Sequence, residues 1–359
     1  MNETIVLICN QAIPSTKIGS WTNRLTQLVS NHTLFDYILS PSKTLEISCY
    51  CKKRKFLTWN KRLRPLMLKY WVGYDYVNVV KKISKQSQTL KVVIIDDVHL
   101  LEAIIKCKRD FNCSINVIFS FHGYEFQFSK TYSKDIDKIL FLSELGLQIS
   151  KQNMGVHFPK AEVVGNGVDS EVFFPLNDAE KENLRLEKGY LEDDEILIWV
   201  ANDRPKKGIQ IFFKVITELL ERIPNLKIII IGSLQIYKHP NVNNVGKLTN
   251  IEVAKYLQIS NYYMFTTLYE EGFGLSLIEA YKCGNAVIST NRGAIPEVLH
   301  DLSFSYLVDE PHDINSWVDT FEKLRKETNF GKERINKVTA NGIWNYGDWE
   351  KRFINSINS

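Results

Sequence analysis

The chain opens on a continuous apolar run at residues 4–9. Such a run marks a strand buried on both faces rather than a half-exposed one, which would alternate. Similar runs recur at 35–39, 92–95, 115–119, 139–142 and 163–164, and helix-like stretches lie between several of them, notably 97–108 and 143–153. Strands alternating with helices predict a parallel sheet covered on both faces. The pattern restarts with a strand at 196–201 and a helix over 207–223, whose Ile209, Phe212, Phe213, Ile216, Leu219, Leu220 and Ile223 form one stripe. A strand at 226–231, a helix at 250–259, a strand at 262–265, a helix at 275–283 and a strand at 286–290 follow. Two doubly wound α/β units in series are therefore expected, joined near Phe173-Phe174-Pro175 or within the charged stretch 178–195. Ligands of open α/β sheets sit beyond the carboxyl ends of the strands, so the cleft between two facing sheets is the natural site.

Length and composition agree with two cores: 359 residues, 44% of them hydrophobic, fit two domains and exclude a disordered chain. The N-terminal residues MNETIVLICN have no basic segment, and no later run approaches eighteen apolar residues. A cytoplasmic protein, at most peripheral on the inner face of a membrane, is expected. The six cysteines include one tight pair, Cys49 and Cys51, with no second pair or nearby histidine to complete a zinc set, so they read as reduced and unlinked. Charge divides unevenly. Residues 1–175 hold 23 Lys and Arg against 15 Asp and Glu, a balance of +8, and residues 176–359 hold 22 against 26, a balance of −4. The first half is thus suited to an anionic partner.

The candidate chemistry lies at 270–280, where a strand ends and a helix begins. Gly272 and Gly274 allow a sharp turn and close approach of the backbone to a ligand. The following helix start offers N–H groups and a positive dipole end to a phosphate. Glu279, about one turn into that helix, reaches a neighbouring hydroxyl pair such as a ribose. Glu271 stands at the mouth of the loop, near a sugar or a developing positive charge.

The segment EEGFGLSLIEAYKCGNAVISTNRGAIPEV at 270–298 resembles the signature of family 4 retaining glycosyltransferases, whose hallmark is two glutamates separated by seven residues, here Glu271 and Glu279. VVGNGVDSEVFFP at 163–175 is similar to that family's domain junction, and IWVANDRPKKGIQ at 198–210 to its phosphate-binding strand and loop. VGKLTNIEVAKYL at 245–257 is similar to its base-binding loop and helix, while FSFHG at 119–123 and IPSTKIGSW at 13–21 resemble its N-domain loops.

The resemblance implies the GT-B fold, two doubly wound Rossmann-like domains facing an interdomain cleft. An acceptor-binding domain is expected over 1–172, a donor-binding domain over 173–340, and a C-terminal helix at 341–359 packing back on the first. It further implies that Glu279 holds the donor ribose and that the backbone of Gly272, Phe273, Gly274 and Leu275 faces the donor sugar and diphosphate. Lys207 would neutralise the leaving diphosphate, Gly19 and Ser20 would bring a second helix start to it, and His122 and Glu271 would lie at the reacting sugar. The sequence departs from the family's pattern at Asn202, where an arginine is usual, with Arg204 or Lys206 as substitute cations. It departs again at Gly19-Ser20, where a glycine pair is usual.

The implied reaction is transfer of a sugar from a UDP- or GDP-sugar to a saccharide or lipid-linked saccharide, with retention, no cofactor and no metal. Lys207, Arg204 and backbone amides would stabilise the leaving group, and the departing phosphate would help deprotonate the acceptor. Asp135-Ile-Asp137 reads as solvated surface rather than a metal site.

Residues 49–71 carry eight Lys or Arg, no acid, and Tyr50, Phe56, Trp59, Tyr70 and Trp71. This composition suits an anionic membrane surface or a lipid diphosphate. It also suits nucleic acid, or a solvated helix with core anchors. The membrane reading is preferred and no nucleic acid is expected. The rival functions are a GT-B sugar-nucleotide epimerase and a non-catalytic sugar-nucleotide or polyanion binder. A dehydrogenase is disfavoured because Cys9-Asn-Gln-Ala-Ile-Pro14 stands where a glycine-rich dinucleotide turn would follow the first strand.

Overall fold

The computed structural model describes residues 3–15, 20–31, 33–57 and 63–359. Packing divides the chain into two compact units, Met1–Gly165 with Glu350–Ser359, and Asn166–Trp349.

Among the described residues, the first unit carries seven parallel strands: β1 (Glu3–Cys9), β2 (Tyr37–Ser40), β3 (Ser48–Tyr50), β4 (Thr89–Ile95), β5 (Ser114–Ser120), β6 (Lys138–Phe141) and β7 (Ala161–Val163). Their order is β3-β2-β1-β4-β5-β6-β7. The second carries six: β8 (Ile196–Val200), β9 (Lys227–Ile231), β10 (Val242–Gly246), β11 (Tyr262–Phe265), β12 (Ala286–Thr290) and β13 (Ser305–Val308), in the order β10-β9-β8-β11-β12-β13. In both sheets the order turns back beside the first strand, between β1 and β4 and between β8 and β11, which is the doubly wound arrangement with its topological switch point. The central strands are largely apolar because helices cover both faces. Val6, Leu7 and Ile8 of β1 and Ile196, Leu197, Ile198 and Trp199 of β8 are fully buried.

The helix Ile209–Arg222 buries Ile209, Phe212, Val215, Ile216 and Leu219 against the second sheet. It starts where its apolar stripe begins, two residues later than the expected 207. Pro205–Lys207 forms a separate 3₁₀ turn, closed by Gly208 in the left-handed region at φ 73°. Lys207 therefore sits on a turn before the helix. The β9–β10 crossover, 232–241, contains no helix, although parallel neighbours are usually joined through one.

The final helix, Tyr346–Asn358, places Phe353 and Ile357 in the core. Arg352 Nε donates to the Val164 carbonyl at 2.9 Å, and Lys138 Nζ donates to the Ser356 carbonyl at 2.9 Å, so its last two turns complete the β6–β7 side of the first unit. All six cysteines are unlinked. Among the described residues no helix is long and apolar enough to cross a membrane.

Candidate functional site

The loops that leave β8 and β11 meet at the switch point of the second sheet. A Cβ added at Gly208 would lie 1.7 Å from the Thr266 carbonyl oxygen, so only glycine lets the two loops approach this closely. Thr266 Oγ1 donates to the Gly208 carbonyl at 2.9 Å, and Leu268 N donates to the Lys206 carbonyl at 2.7 Å. Lys207 is thereby carried over the Phe265 ring, 5.2 Å from its centroid, and its ammonium lies 2.6 Å from Glu271 Oε1. Thr267 Oγ1 donates to the same oxygen at 2.8 Å. Glu271 is 9% exposed, and its backbone carbonyl accepts Ala294 N at 2.8 Å. The glutamate is thus fixed at both ends and paired with the lysine. A buried carboxylate needs such partners to remain charged.

Immediately after this pair the chain turns through Gly274, at φ 86°, into the helix Leu275–Lys282. A side chain there would be strained, and as the N-cap Gly274 contributes no capping group to the first turn. The Phe273 ring packs edge-on against Trp344, with centroids 4.9 Å apart, so its side chain anchors the loop and its backbone is the part a ligand could meet. Glu279 is buried within the helix. The Tyr263 hydroxyl lies 2.9 Å from Ser276 Oγ and 3.2 Å from the Val200 carbonyl. Burial pushes this phenol well up, against the Ser276 hydrogen bond, and the charges of Glu279 and Glu271 push it further. Both glutamates therefore act on one buried hydroxyl beneath the helix start. Arg204 is exposed, and its backbone N–H donates to Asn202 Oδ1 at 3.2 Å. The Lys206 ammonium sits 4.9 Å from the Tyr269 ring centroid.

In the first unit, the carboxyl ends of β4 and β5 hold His122. Its Nε2 is 3.2 Å from Ser120 Oγ, its backbone N–H donates to Asp96 Oδ1 at 3.0 Å, and Trp21 meets its ring edge-on at 5.5 Å. Desolvation first, and then the Arg24 charge, push His122 from its ordinary 6.5 down to about 3. The imidazole is neutral at physiological pH. Asp96 holds a left-handed backbone at φ 48°, unusual for a residue other than glycine.

This depressed value has a consequence for stability. Below pH 6.5 the unfolded chain takes up a proton that folded His122 refuses until about pH 3, so stability is lost as pH falls through that window. His122→Gln is expected to remove part of that loss, about 1–2 kcal/mol at pH 5 and none at pH 8. Urea unfolding of both proteins at the two pH values checks this. An equal acid loss in both would contradict it.

Gly19 lies outside the described residues, as does Trp59 of the basic stretch. Ser20 begins the helix Ser20–Asn31. Among the described residues of the basic stretch, three cations have carboxylate partners elsewhere in the unit. Lys53 Nζ is 2.6 Å from buried Asp97, Arg54 is 2.8 Å from Asp75, and Arg64 is 3.3 Å from Glu102. Lys52 and Lys55 are exposed. Asp137, expected to be solvated surface, is exposed and also accepts the Val117 N–H at 2.7 Å and Lys108 Nζ at 2.9 Å. It ties β5 to the turn before β6. Among the described residues no group of three or more His, Cys, Asp or Glu converges as a metal site.

Two residues of this geometry escaped the sequence reading. Thr267 follows the apolar strand 262–265 at two residues' distance, and Asp96 directly follows 92–95. Polar residues at the carboxyl ends of strands flanking a switch point are the signal that would have found both.

Residues 180–341 match the family profile described as glycosyl transferases group 1. The N-acetyl-alpha-D-glucosaminyl L-malate synthase of Bacillus anthracis is 31% identical over 181 residues, 46% of this chain and 44% of that protein. The D-inositol 3-phosphate glycosyltransferase of Paenarthrobacter aurescens is 26% identical over 212 residues, 55% of this chain and 50% of that protein. The chain thus spans about half the length of the curated relatives it matches. Among solved structures, sucrose-phosphate synthase from Thermosynechococcus elongatus superimposes with a TM-score of 0.74 at 14% identity, covering 99% of this chain and 98% of that one. The Anabaena protein HepE in complex with UDP and glucose superimposes with a TM-score of 0.70 at 14% identity, covering 99% of both chains. The fold is that of the GT-B glycosyltransferases, two parallel-sheet Rossmann-like units.

Proposed function

We propose that this protein is a metal-independent, retaining glycosyltransferase. It would move a sugar from a UDP- or GDP-linked donor to a saccharide or lipid-linked saccharide acceptor in glycan biosynthesis. The observation that carries the reading is the cluster of Lys207, Glu271 and Thr267 at the switch point of the second sheet, just before a helix start turned by Gly274. The match over 180–341 and the glycosyltransferases among the relatives support it.

In this reading the diphosphate lies at the start of the helix Leu275–Lys282, within reach of Lys207. The bond from the anomeric carbon to the phosphate oxygen breaks, and its electron pair leaves with the diphosphate. The ammonium and the amides at 273–275 stabilise that charge as it grows. The acceptor oxygen bonds to the anomeric carbon on the face that the phosphate leaves, and its proton passes to the departing phosphate. Glu279 accepts from the ribose hydroxyls, and Glu271 from the donor sugar. His122, which is neutral, and Gly19 with Ser20 would keep the donor-side roles that the resemblance implies. Arg204 adds charge from the loop rim.

A thermal-shift screen with UDP, GDP and their sugars tests the donor reading. At about 100 times Kd a nucleotide that binds only the folded chain is expected to raise the melting temperature by about 3–8 °C. No shift with any of the four would remove the basis of the proposal.

The acceptor side is proposed to rest on an anionic membrane surface. Tyr50, Leu57, Leu63, Leu66, Tyr70, Trp71 and Tyr74 are all exposed large apolar side chains within one stretch, interleaved with cations. Lys53 and Arg54 hold carboxylates of the fold, so Lys52 and Lys55 are the side chains to change. Replacing both with glutamine is expected to weaken binding to phosphatidylserine vesicles by about 1 kcal/mol per charge. Unchanged binding in a co-sedimentation assay would contradict the membrane role.

A further inference from the structure

Resting on the donor reading, we infer that Glu271 is a built-in competitor for Lys207, and that this competition makes the site favour an intact sugar nucleotide over the free nucleoside diphosphate. The geometry points to it directly. The Lys207 ammonium, 64 residues away in sequence, lies 2.6 Å from Glu271 Oε1. Thr267 donates to that same oxygen at 2.8 Å and so holds the carboxylate in the pairing position. The main chain beneath that carboxylate is fixed too, because the Glu271 backbone carbonyl accepts Ala294 N at 2.8 Å. The neighbouring Glu270 is clasped as well, by Gly293 N at 2.6 Å and Arg292 at 3.2 Å.

A diphosphate that takes Lys207 must therefore share the ammonium with this carboxylate or displace it. Either way two anions face one cation, at a pair whose side chains are 22% and 12% exposed and so only weakly screened. What offsets the cost differs between donor and product. A sugar nucleotide brings hydroxyl groups that donate to the carboxylate Lys207 has partly released. A free nucleoside diphosphate has no sugar beyond its phosphates and brings no hydroxyl there, its ribose being held by Glu279. It also adds negative charge, since a terminal phosphate ionises a second time with a pKa of about 6. The same carboxylate thus attracts the substrate's sugar and repels the product's phosphate. The physical effect is discrimination by a repulsive element already in place, and it helps clear the product after transfer.

The Thr267 hydroxyl is part of this device. Without its hydrogen bond the Glu271 side chain has more freedom to leave Lys207, and the penalty on the product falls. Thr267 acts through Glu271, so it is a positioning residue.

The test is calorimetric titration of the full chain with UDP, UDP-glucose, GDP and GDP-mannose, on the wild type, on Glu271→Gln and on Thr267→Val. Glutamine keeps the shape and removes the charge. Glu271→Gln is expected to bind the nucleoside diphosphate about 10-fold more tightly than the wild type does, and the sugar nucleotide equally or more weakly. Thr267→Val is expected to move the diphosphate in the same direction by about 3-fold, and it keeps the test available if the glutamine variant does not fold. A ratio of diphosphate to sugar-nucleotide affinity that stays within twofold in the folded variants overturns the inference and leaves the donor reading standing. Equal tightening of both ligands also overturns it, because a competitor without discrimination is a different device. Failure of the wild type to bind any of the four ligands overturns the donor reading, and the inference with it.

Discussion

Lys207→Met is expected to lower kcat/KM for the sugar nucleotide by about 10²–10³-fold, with most of the loss in kcat. The proposed reaction separates charge, and the leaving diphosphate gains negative charge as the glycosidic bond breaks. A fixed cation near that charge counts for more in the transition state than in the bound donor. Methionine keeps an unbranched stem over the Phe265 ring and removes only the ammonium. The substitution also strips Glu271 of its cation, so a stability loss of about 1–2 kcal/mol is expected, discounted for the partial exposure of the pair. Initial-rate kinetics on protein shown to be folded at the assay temperature separate the two effects. A kcat within threefold of the wild type would remove Lys207 from the chemistry.

The second large effect lies in binding rather than turnover. Glu279→Gln is expected to raise KM for the donor by about 10–30-fold while kcat stays within threefold. A carboxylate can accept from two ribose hydroxyls at once, whereas a carboxamide offers one acceptor oxygen and two donor hydrogens. Glu279 is 5% exposed, so the loss is not made good by water. The 2′-deoxy form of the donor sharpens the measurement. The wild type is expected to discriminate against it by about tenfold, and the variant to treat both donors nearly alike. Full discrimination in the variant would place the ribose elsewhere. The contrast between the two substitutions, one in kcat and one in KM, separates a group that stabilises the leaving charge from one that only holds the donor.

Much of the fold could be read from apolar runs, and what escaped has a common cause. β1, β4, β5, β8, β9, β11 and β12 all appear as such runs because they lie inside their sheets, with a neighbour on each side and helices above and below. β3, β10 and β13 produced no recognisable run, and all three are edge strands. β10 reads VNNVG, β3 reads SCY, and β13 has three half-buried positions of four. An edge strand pairs through its backbone on one side only and need not bury every side chain, so no continuous run is required.

The site was legible to a similar depth. Gly274 and the helix after it follow from local chemistry, since a glycine turn before an apolar helical stripe is a short-range signal. The Lys207–Glu271 pair is not such a signal. It depends on two loops being brought together by Gly208 and Thr266, and nothing within either loop names its partner. The same limit applied to the basic stretch. Counting charges made eight cations available to a ligand, but Asp97, Asp75 and Glu102 claim three of them from distant parts of the chain.

The final helix bears on how the chain is made. Phe353 and Ile357 belong to the core of the first unit, yet the ribosome adds them only after the whole of the second unit has been synthesised. The first sheet therefore emerges early and waits, with the apolar surface beside β6 and β7 uncovered, while the second unit emerges as one uninterrupted segment. Order of synthesis and order of completion are reversed between the two units. The nascent first unit is therefore the one whose apolar surface stays exposed longest during translation.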